Sequence, residues 1–239
     1  MKPVALITGA GRGLGSGLAK RLAQSGFAVA LHYFSSEKTA IRLAEAIRAA
    51  GSETSTFQAD LTRESEAIRL IDEVAGRFGR IDVLINNSGV YHAKSLQELT
   101  EKEWFEGIHS TATAAFFTTR AALPYLRKSG NGRVINIGDS SCDRAGARDL
   151  SMGYHIGKTG VYMLTRTFAR EEARHQVTVN MVSPGYLENS QKLPNLSTIP
   201  AGRPGTFDDI WNAVEFLLKS ENGYLTGSNL ILSGGWNLR

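Results

Sequence analysis

Short apolar runs alternate with longer amphipathic stretches along this 239-residue chain, and that alternation constrains its fold more than any other feature. Residues 4–7, 27–33, 54–58, 81–85, 133–137, 177–182 and 229–232 read as strands. Between them, Leu14, Leu18 and Leu22 recur at helical spacing before Ser25-Gly26 breaks the pattern. Helices are further predicted over 37–50, closed by Gly51, and over 63–78, 101–127, 154–175 and 207–218, with Pro124 near the end of the third. The run 81–85 is continuously apolar, as in a strand covered on both faces. Strand–helix alternation of this kind implies a doubly wound α/β fold, a seven-stranded parallel sheet with helices on both sides. The length suits a single domain over 1–239, and 42% hydrophobic residues suffice for a substantial core. The least regular stretch is 185–205, with Pro194, Pro200 and Pro204; loops of that length are often lids.

Charge and cysteine content narrow the class. Lys and Arg total 27 against 23 Asp and Glu, a net charge of +4. The charges alternate in sign, as in Glu101-Lys102-Glu103, which marks solvated helix faces rather than a nucleic-acid surface. A mild positive excess still favours an anionic ligand such as a phosphate-bearing cofactor. The single Cys142 permits no internal disulfide, as expected of a reducing compartment. No signal-peptide-like or membrane-length apolar run is visible, so a cytoplasmic protein with no membrane or nucleic-acid partner is expected. No histidine–carboxylate cluster points to a metal.

Chemistry is written in two places. Thr8-Gly-Ala-Gly-Arg-Gly-Leu-Gly15 joins the first strand to the first helix. Glycines there allow a sharp turn, a close approach to a pyrophosphate and tight helix–strand packing, and the helix N-terminus offers free N–H groups. Far downstream, Tyr154 and Lys158 are four apart on a predicted helix and share a face. A free phenol titrates near about 10, and a neighbouring ammonium favours its ionised form. With these two motifs the chain resembles the short-chain dehydrogenase/reductase family, whose fold is a Rossmann domain. Thr8-Gly9-x-x-x-Gly13-x-Gly15 is similar to the family's cofactor signature, Asp60-Leu61 to its adenine contact, and Asn86-Asn87-Ser88-Gly89 to its Asn-Asn-Ala-Gly signature with Ser88 replacing alanine. Ser183-Pro184-Gly185 resembles the turn beside the nicotinamide, and Ile199-Pro-x-Gly-Arg203 and Tyr224-Leu-Thr-Gly227 through Gly234-Gly235 follow the C-terminal pattern. The resemblance spans essentially the whole chain.

It implies hydride transfer with Tyr154 as proton donor and Lys158 binding the nicotinamide ribose and lowering the tyrosine pKa. Cofactor contacts are expected at Gly9, Arg12, Gly13, Leu14, Tyr33, Ser35, Ser36, Asp60, Leu61, Asn87, Ser88, Gly89, Pro184, Gly185 and Leu187. An acid at the end of the second strand would repel a 2′-phosphate. This chain instead has His32-Tyr33-Phe34-Ser35-Ser36 there and Arg12 in the turn, which favours NADPH/NADP, with Glu37 as the opposing group. His92, Tyr186 and Ser190 are expected around the substrate.

Two positions depart from the family pattern. Laid against the fifth strand, the usual serine position holds Asp139; counted back from Tyr154 it is Ser141, with Ser140 between. Pteridine reductases are similar in using an aspartate there. Thr111 replaces the family's relay asparagine, and His109 is two residues away. Three functions follow: an NADPH-dependent reductase of a 3-oxoacyl thioester-like ketone, a pteridine reductase-like enzyme, or a non-catalytic dinucleotide sensor. The resemblance also implies a homodimer or homotetramer, with Ala112, Ala115, Ala121 and Ala122 permitting close helix approach. Cys142 lies in the active-site loop without an evident base, so no nucleophilic role is expected.

Overall fold

The computed structural model describes residues 2–144, 146–190, 193–219, 221 and 223–238. Its strands are β1 (Val4–Ile7), β2 (Ala28–Tyr33), β3 (Thr54–Gln58), β4 (Val83–Asn86), β5 (Arg133–Ile137), β6 (Thr178–Pro184) and β7 (Asn229–Leu232). They form one sheet in the order β3-β2-β1-β4-β5-β6-β7, with every pairing parallel. The helices are α1 (Gly13–Gln24), α2 (Glu37–Ala49), α3 (Glu64–Phe78), α4 (Glu101–Ile108), α5 (Ala114–Lys128), α6 (Met152–Glu172) and α7 (Phe207–Leu218).

The strands alternate sides as period two requires. Val4 and Leu6 pack with Leu70, Ile71, Val74 and Leu126 of α3 and α5. Ala5 and Ile7 pack with Leu18, Leu22, Leu43, Ile210 and Trp211 of α1, α2 and α7. Both faces of the central strands are therefore covered, and the continuous apolar runs are explained. Each fully buried leucine or isoleucine in these layers contributes roughly 1.5–3 kcal/mol relative to exposure.

The predicted helix 101–127 contains an internal change of pitch. Between α4 and α5, His109–Thr113 form a single π-helical turn. Such turns are frequent at functional sites, and this one carries Thr111. The helix predicted from Tyr154 begins at Met152, and its last residues, Ala173–His175, tighten to 3-10 geometry. The expected alanine face is only half present: Ala115 and Ala122 are buried against the chain's own core rather than displayed on the helix exterior. The order of strands reverses between β1 and β4, which opens a crevice at their carboxyl ends, the ligand position in open α/β sheets.

Candidate active site

One lip of this crevice is the turn from β1 into α1. Gly9 and Gly13 sit at φ +64° and +55°, a region L side chains rarely adopt. A Cβ on Gly15 would lie 2.6 Å from both Gly9 O and Asn87 Nδ2, so α1 packs against the strand ends only because none is present. Nothing lies within 4 Å of the Cβ position at Gly13. The first turn of α1 carries neither an acidic residue nor a side-chain cap. Free N–H groups at a positive helix end, facing open space, fit a diphosphate.

The other lip, after β4, is fastened to the first. Thr8 Oγ1 accepts from Asn87 N (2.9 Å) and Ser88 N (3.0 Å), while Asn87 Nδ2 donates to Thr8 O and Gly9 O. Asn87 thus shapes the glycine turn. Behind it, His32 is buried: Nδ1 accepts from Gly9 N at 3.1 Å and Nε2 faces Ala59 O at 3.0 Å. These partners assign the neutral Nε2–H tautomer, and burial lowers its pKa to about 4. His32 appeared at the sequence level only as a non-acidic residue; its bridging role depends on contacts between distant segments.

Beyond β3, Leu61 is buried and Asp60 accepts from Thr62 N and Oγ1. Ser36 packs against Gly11, whereas Arg12 and Ser35 are exposed. Tyr33 is buried, and its hydroxyl donates to Glu37 Oε1 at 3.3 Å, which restrains the acid that follows β2.

Tyr154 is positioned by glycine. Where α4 crosses α6, a Cβ on Gly107 would lie 2.6 Å from Tyr154 N, one on Gly153 2.5 Å from Trp104 O, and one on Gly157 would overlap Thr111 Oγ1. The two helix backbones therefore touch at the turn that carries the phenol. The Tyr154 ring and the Lys158 ammonium both face Gly89, at 3.2 Å and 3.7 Å from its Cβ position. Lys158 is buried, its Nζ donates to Ile137 O at 2.6 Å, and burial lowers its pKa to about 8.

The direction at Tyr154 differs from expectation. Burial above all, then the charge of Asp139, pushes its phenol well above the ordinary value. The Lys158 amine lies 5.4 Å from the ring centroid and is committed to a strand carbonyl. Tyr154 is thereby held as the neutral acid, the form that donates a proton.

Of the three serine-position candidates, Asp139 is the one whose charge reaches Tyr154, Lys158, Tyr91 and His155. Ser141 belongs to the turn beyond: its N–H donates to Asp139 Oδ1 (2.9 Å) and its carbonyl accepts from Arg148. Ser140 is buried and its N–H donates to Pro184 O.

Thr111, at the position of the relay asparagine, turns its hydroxyl away from the site. Its Oγ1 donates back to the helix, to Gly107 O (2.7 Å) and Ile108 O (3.0 Å), and its methyl faces Gly89. Beside it a cavity of about 10 Å³, lined in part by Ser88, Thr111 and Lys158, has room for about one water. His109 is exposed against Phe105 and lies outside the site.

The substrate side also differs in detail. His92 is turned onto α4, with Nε2 2.9 Å from Glu106 Oε2. Its neighbour Tyr91 packs edge-on against Tyr154 at 5.2 Å. Ser190 accepts from Leu187 N and closes a tight turn. Tyr186 meets Trp236 edge-on at 5.0 Å, so the segment after β7 supplies part of the wall. Leu187 is bridged to Gly205, and Gly185 N donates to Leu232 O. Tyr91, His155 and Trp236 escaped the sequence reading because no spacing announces which loop residues converge. Cys142 is buried beside Met181 and Ser183, and burial pushes its thiol up. Among the described residues no group of three His, Cys, Asp or Glu side chains is placed to hold a metal, and no helix is long and apolar enough to cross a membrane.

Comparison with known proteins bears on the same architecture. Residues 3–197 match the family model described as short chain dehydrogenase. The chain is 35% identical to the 3-oxoacyl-(acyl-carrier-protein) reductase FabG of Staphylococcus aureus over 98% of each protein. It is 34% identical to the 2-dehydro-3-deoxy-D-gluconate 5-dehydrogenase of Escherichia coli, covering 99% of this chain and 96% of that one. Among solved structures, a gluconate 5-dehydrogenase of Burkholderia cenocepacia in complex with NADP and tartrate superposes with a TM-score of 0.90 at 28% identity, over 99% of this chain and 96% of that one.

Proposed function

Because the chain belongs to the short-chain dehydrogenase family, we propose that it is an NADP(H)-dependent oxidoreductase that reduces a carbonyl, with a 3-oxoacyl thioester-like ketone as substrate. The observation that carries this reading is the convergence of Tyr154 and Lys158 on Gly89, at the lip joined through Thr8 to the glycine turn. The bound dinucleotide would supply the hydride. Gly9, Gly13 and the α1 N-terminus would hold its diphosphate, with Leu14, Ser88, Gly89, Pro184, Gly185 and Leu187 along its length. Exposed Arg12 and Ser35, with Ser36, would receive a 2′-phosphate, and the NADP-bound relative supports the same choice.

Within the site, Lys158 would orient the ribose from its anchor on Ile137. Tyr154, neutral at physiological pH, gives its proton to the oxygen on which charge develops. Tyr91, Tyr186 and Trp236 would enclose the substrate. A second reading, a pteridine reductase-like enzyme, is favoured by Asp139. A third, a dinucleotide sensor without turnover, draws on the Thr111 hydroxyl being turned into its own helix. The homodimer or homotetramer and the cytoplasmic setting expected of this chain belong to the same proposal.

The test is NADPH oxidation with acetoacetyl thioesters, with dihydropterins and with a broad carbonyl panel. Thioester turnover with a lower Michaelis constant for NADPH than for NADH is the expected outcome, and Tyr154→Phe is expected to lower kcat at least about a hundredfold while sparing dinucleotide binding. Turnover confined to dihydropterins would transfer the assignment to the second reading; binding without turnover would transfer it to the third.

A further inference from the structure

Asp139 poses a chemical problem. If Asp139 takes the place of the serine that hydrogen-bonds the substrate carbonyl, it must present an O–H. A carboxylate has only acceptors, and its charge opposes the negative charge that develops on a carbonyl oxygen receiving hydride. The group can do the work of a serine only when it carries a proton.

A proton partner stands next to it. His155 follows Tyr154 directly, and its Nδ1 lies 3.8 Å from Asp139 Oδ1, a span that one bridging water or a small side-chain rotation closes. The imidazole ring is edge-on to Tyr91 at 6.1 Å and close to Tyr154 at 5.5 Å, so it belongs to the wall of the reacting site. Its side chain is 18% exposed, which leaves it a path to solvent protons.

We propose that Asp139 and His155 act as an acid pair that shares one proton, and that His155 loads the carboxyl group facing the substrate. In that step the Nδ1 proton of the imidazolium passes to the Asp139 carboxylate. A neutral imidazole and a neutral carboxyl remain, and the carboxyl O–H hydrogen-bonds the substrate oxygen while Tyr154 supplies the proton that is transferred. On product release the shared proton passes from the carboxyl back to His155 Nδ1, and solvent reprotonates Tyr154. The proposal rests on Tyr154 being the proton donor of a carbonyl reductase. His155 acts through Asp139 and is a positioning residue in this scheme.

Burial above all disfavours the imidazolium, and the Arg148 guanidinium adds to it, while Asp139 pulls in the opposite sense. Tyr91 from the β4 loop and Tyr154 on α6 face the same pair, and Lys158 and Cys142 lie within reach of the Asp139 charge. Because the two groups interact, their titration belongs to the pair and not to either residue.

Two measurements test this. The first is a histidine NMR titration of the chain itself, which needs no substrate. Asp139→Ser is expected to move the His155 titration to lower pH, because the carboxylate that favours the imidazolium is gone; an unmoved titration would overturn the pair. The second is the pH profile of kcat/KM with NADPH and an acetoacetyl thioester. Activity is expected to fall with rising pH along a limb between about pH 5 and 8, as the pair loses its proton. His155→Gln should lower kcat/KM about tenfold at neutral pH and shift that limb to lower pH, with His155→Asn as a second variant. In an Asp139→Ser background the same change should have less than about a twofold effect, since a serine already carries its proton. Equal losses in both backgrounds would refute the proposal. Wild-type turnover in Tyr154→Phe would instead defeat the parent reading, and leaves the NMR result standing on its own.

Discussion

A buried histidine holds the turn on which the proposed cofactor site depends. His32 bridges Gly9 and Ala59 as a neutral ring, with its folded pKa near 4 against 6.5 when solvated. Between those values the unfolded chain takes up a proton that the folded one refuses. Stability from this residue is therefore complete above about pH 6.5 and declines as pH falls toward 4, by about 3 kcal/mol in all. Urea unfolding at pH 7 and pH 5 should show the decline in wild type, and a shallower one in His32→Asn and His32→Gln. An identical slope in all three would mean that His32 does not set the acid sensitivity. Residue-level reading was strongest where one side chain has one possible job. The spacing of Tyr154 and Lys158 put them on one helix face, and the glycines of the first turn stood between a strand and a helix, but it was their occurrence together and the family resemblance that pointed to one site. Thr111 and His92 were not legible, since each had a local hydrogen-bond acceptor, Gly107 O or the Glu106 carboxylate, that sequence does not rank.

Among elements, the α4–α6 crossing decides whether the phenol points at the site. Gly157 touches Thr111 there, and adding a methyl would press the two helices apart. Gly157→Ala is expected to cost about 1–3 kcal/mol by overpacking and to lower kcat as Tyr154 shifts. Thr111→Ala on that background should restore part of both, because it removes the hydroxyl the new methyl strikes. Thermal melts and turnover of the single and double variants measure this coupling. Strand boundaries were legible where short runs end in turn residues: β1, β3, β5 and β7 span the residues expected of them. β4 runs Val83–Asn86 instead of 81–85 because the buried Asn86 pairs with Asn136 on β5, a polar register that an apolar run does not reveal. The π turn inside 101–127 left no compositional trace at all.

At the level of the whole molecule, α4 and α6 display Phe105, Ile156 and Met163, which are 45%, 39% and 65% exposed. Large apolar side chains on adjacent helices are a reason for self-association. Light scattering is expected to give a homodimer or homotetramer mass, and Met163→Asp to lower it; a monomer at micromolar wild-type protein would dismiss the idea. The sheet has a further property at this scale. One hydroxyl, that of Thr8, accepts from both Asn87 and Ser88, and Asn87 returns two bonds to the opposite turn. The two rims of the crevice are thus a single girder with no joint between them. Damage on either rim is transmitted to the other, so a variant aimed at the diphosphate end alone can also displace the ring end, and only changes that spare this clasp can tell the two apart.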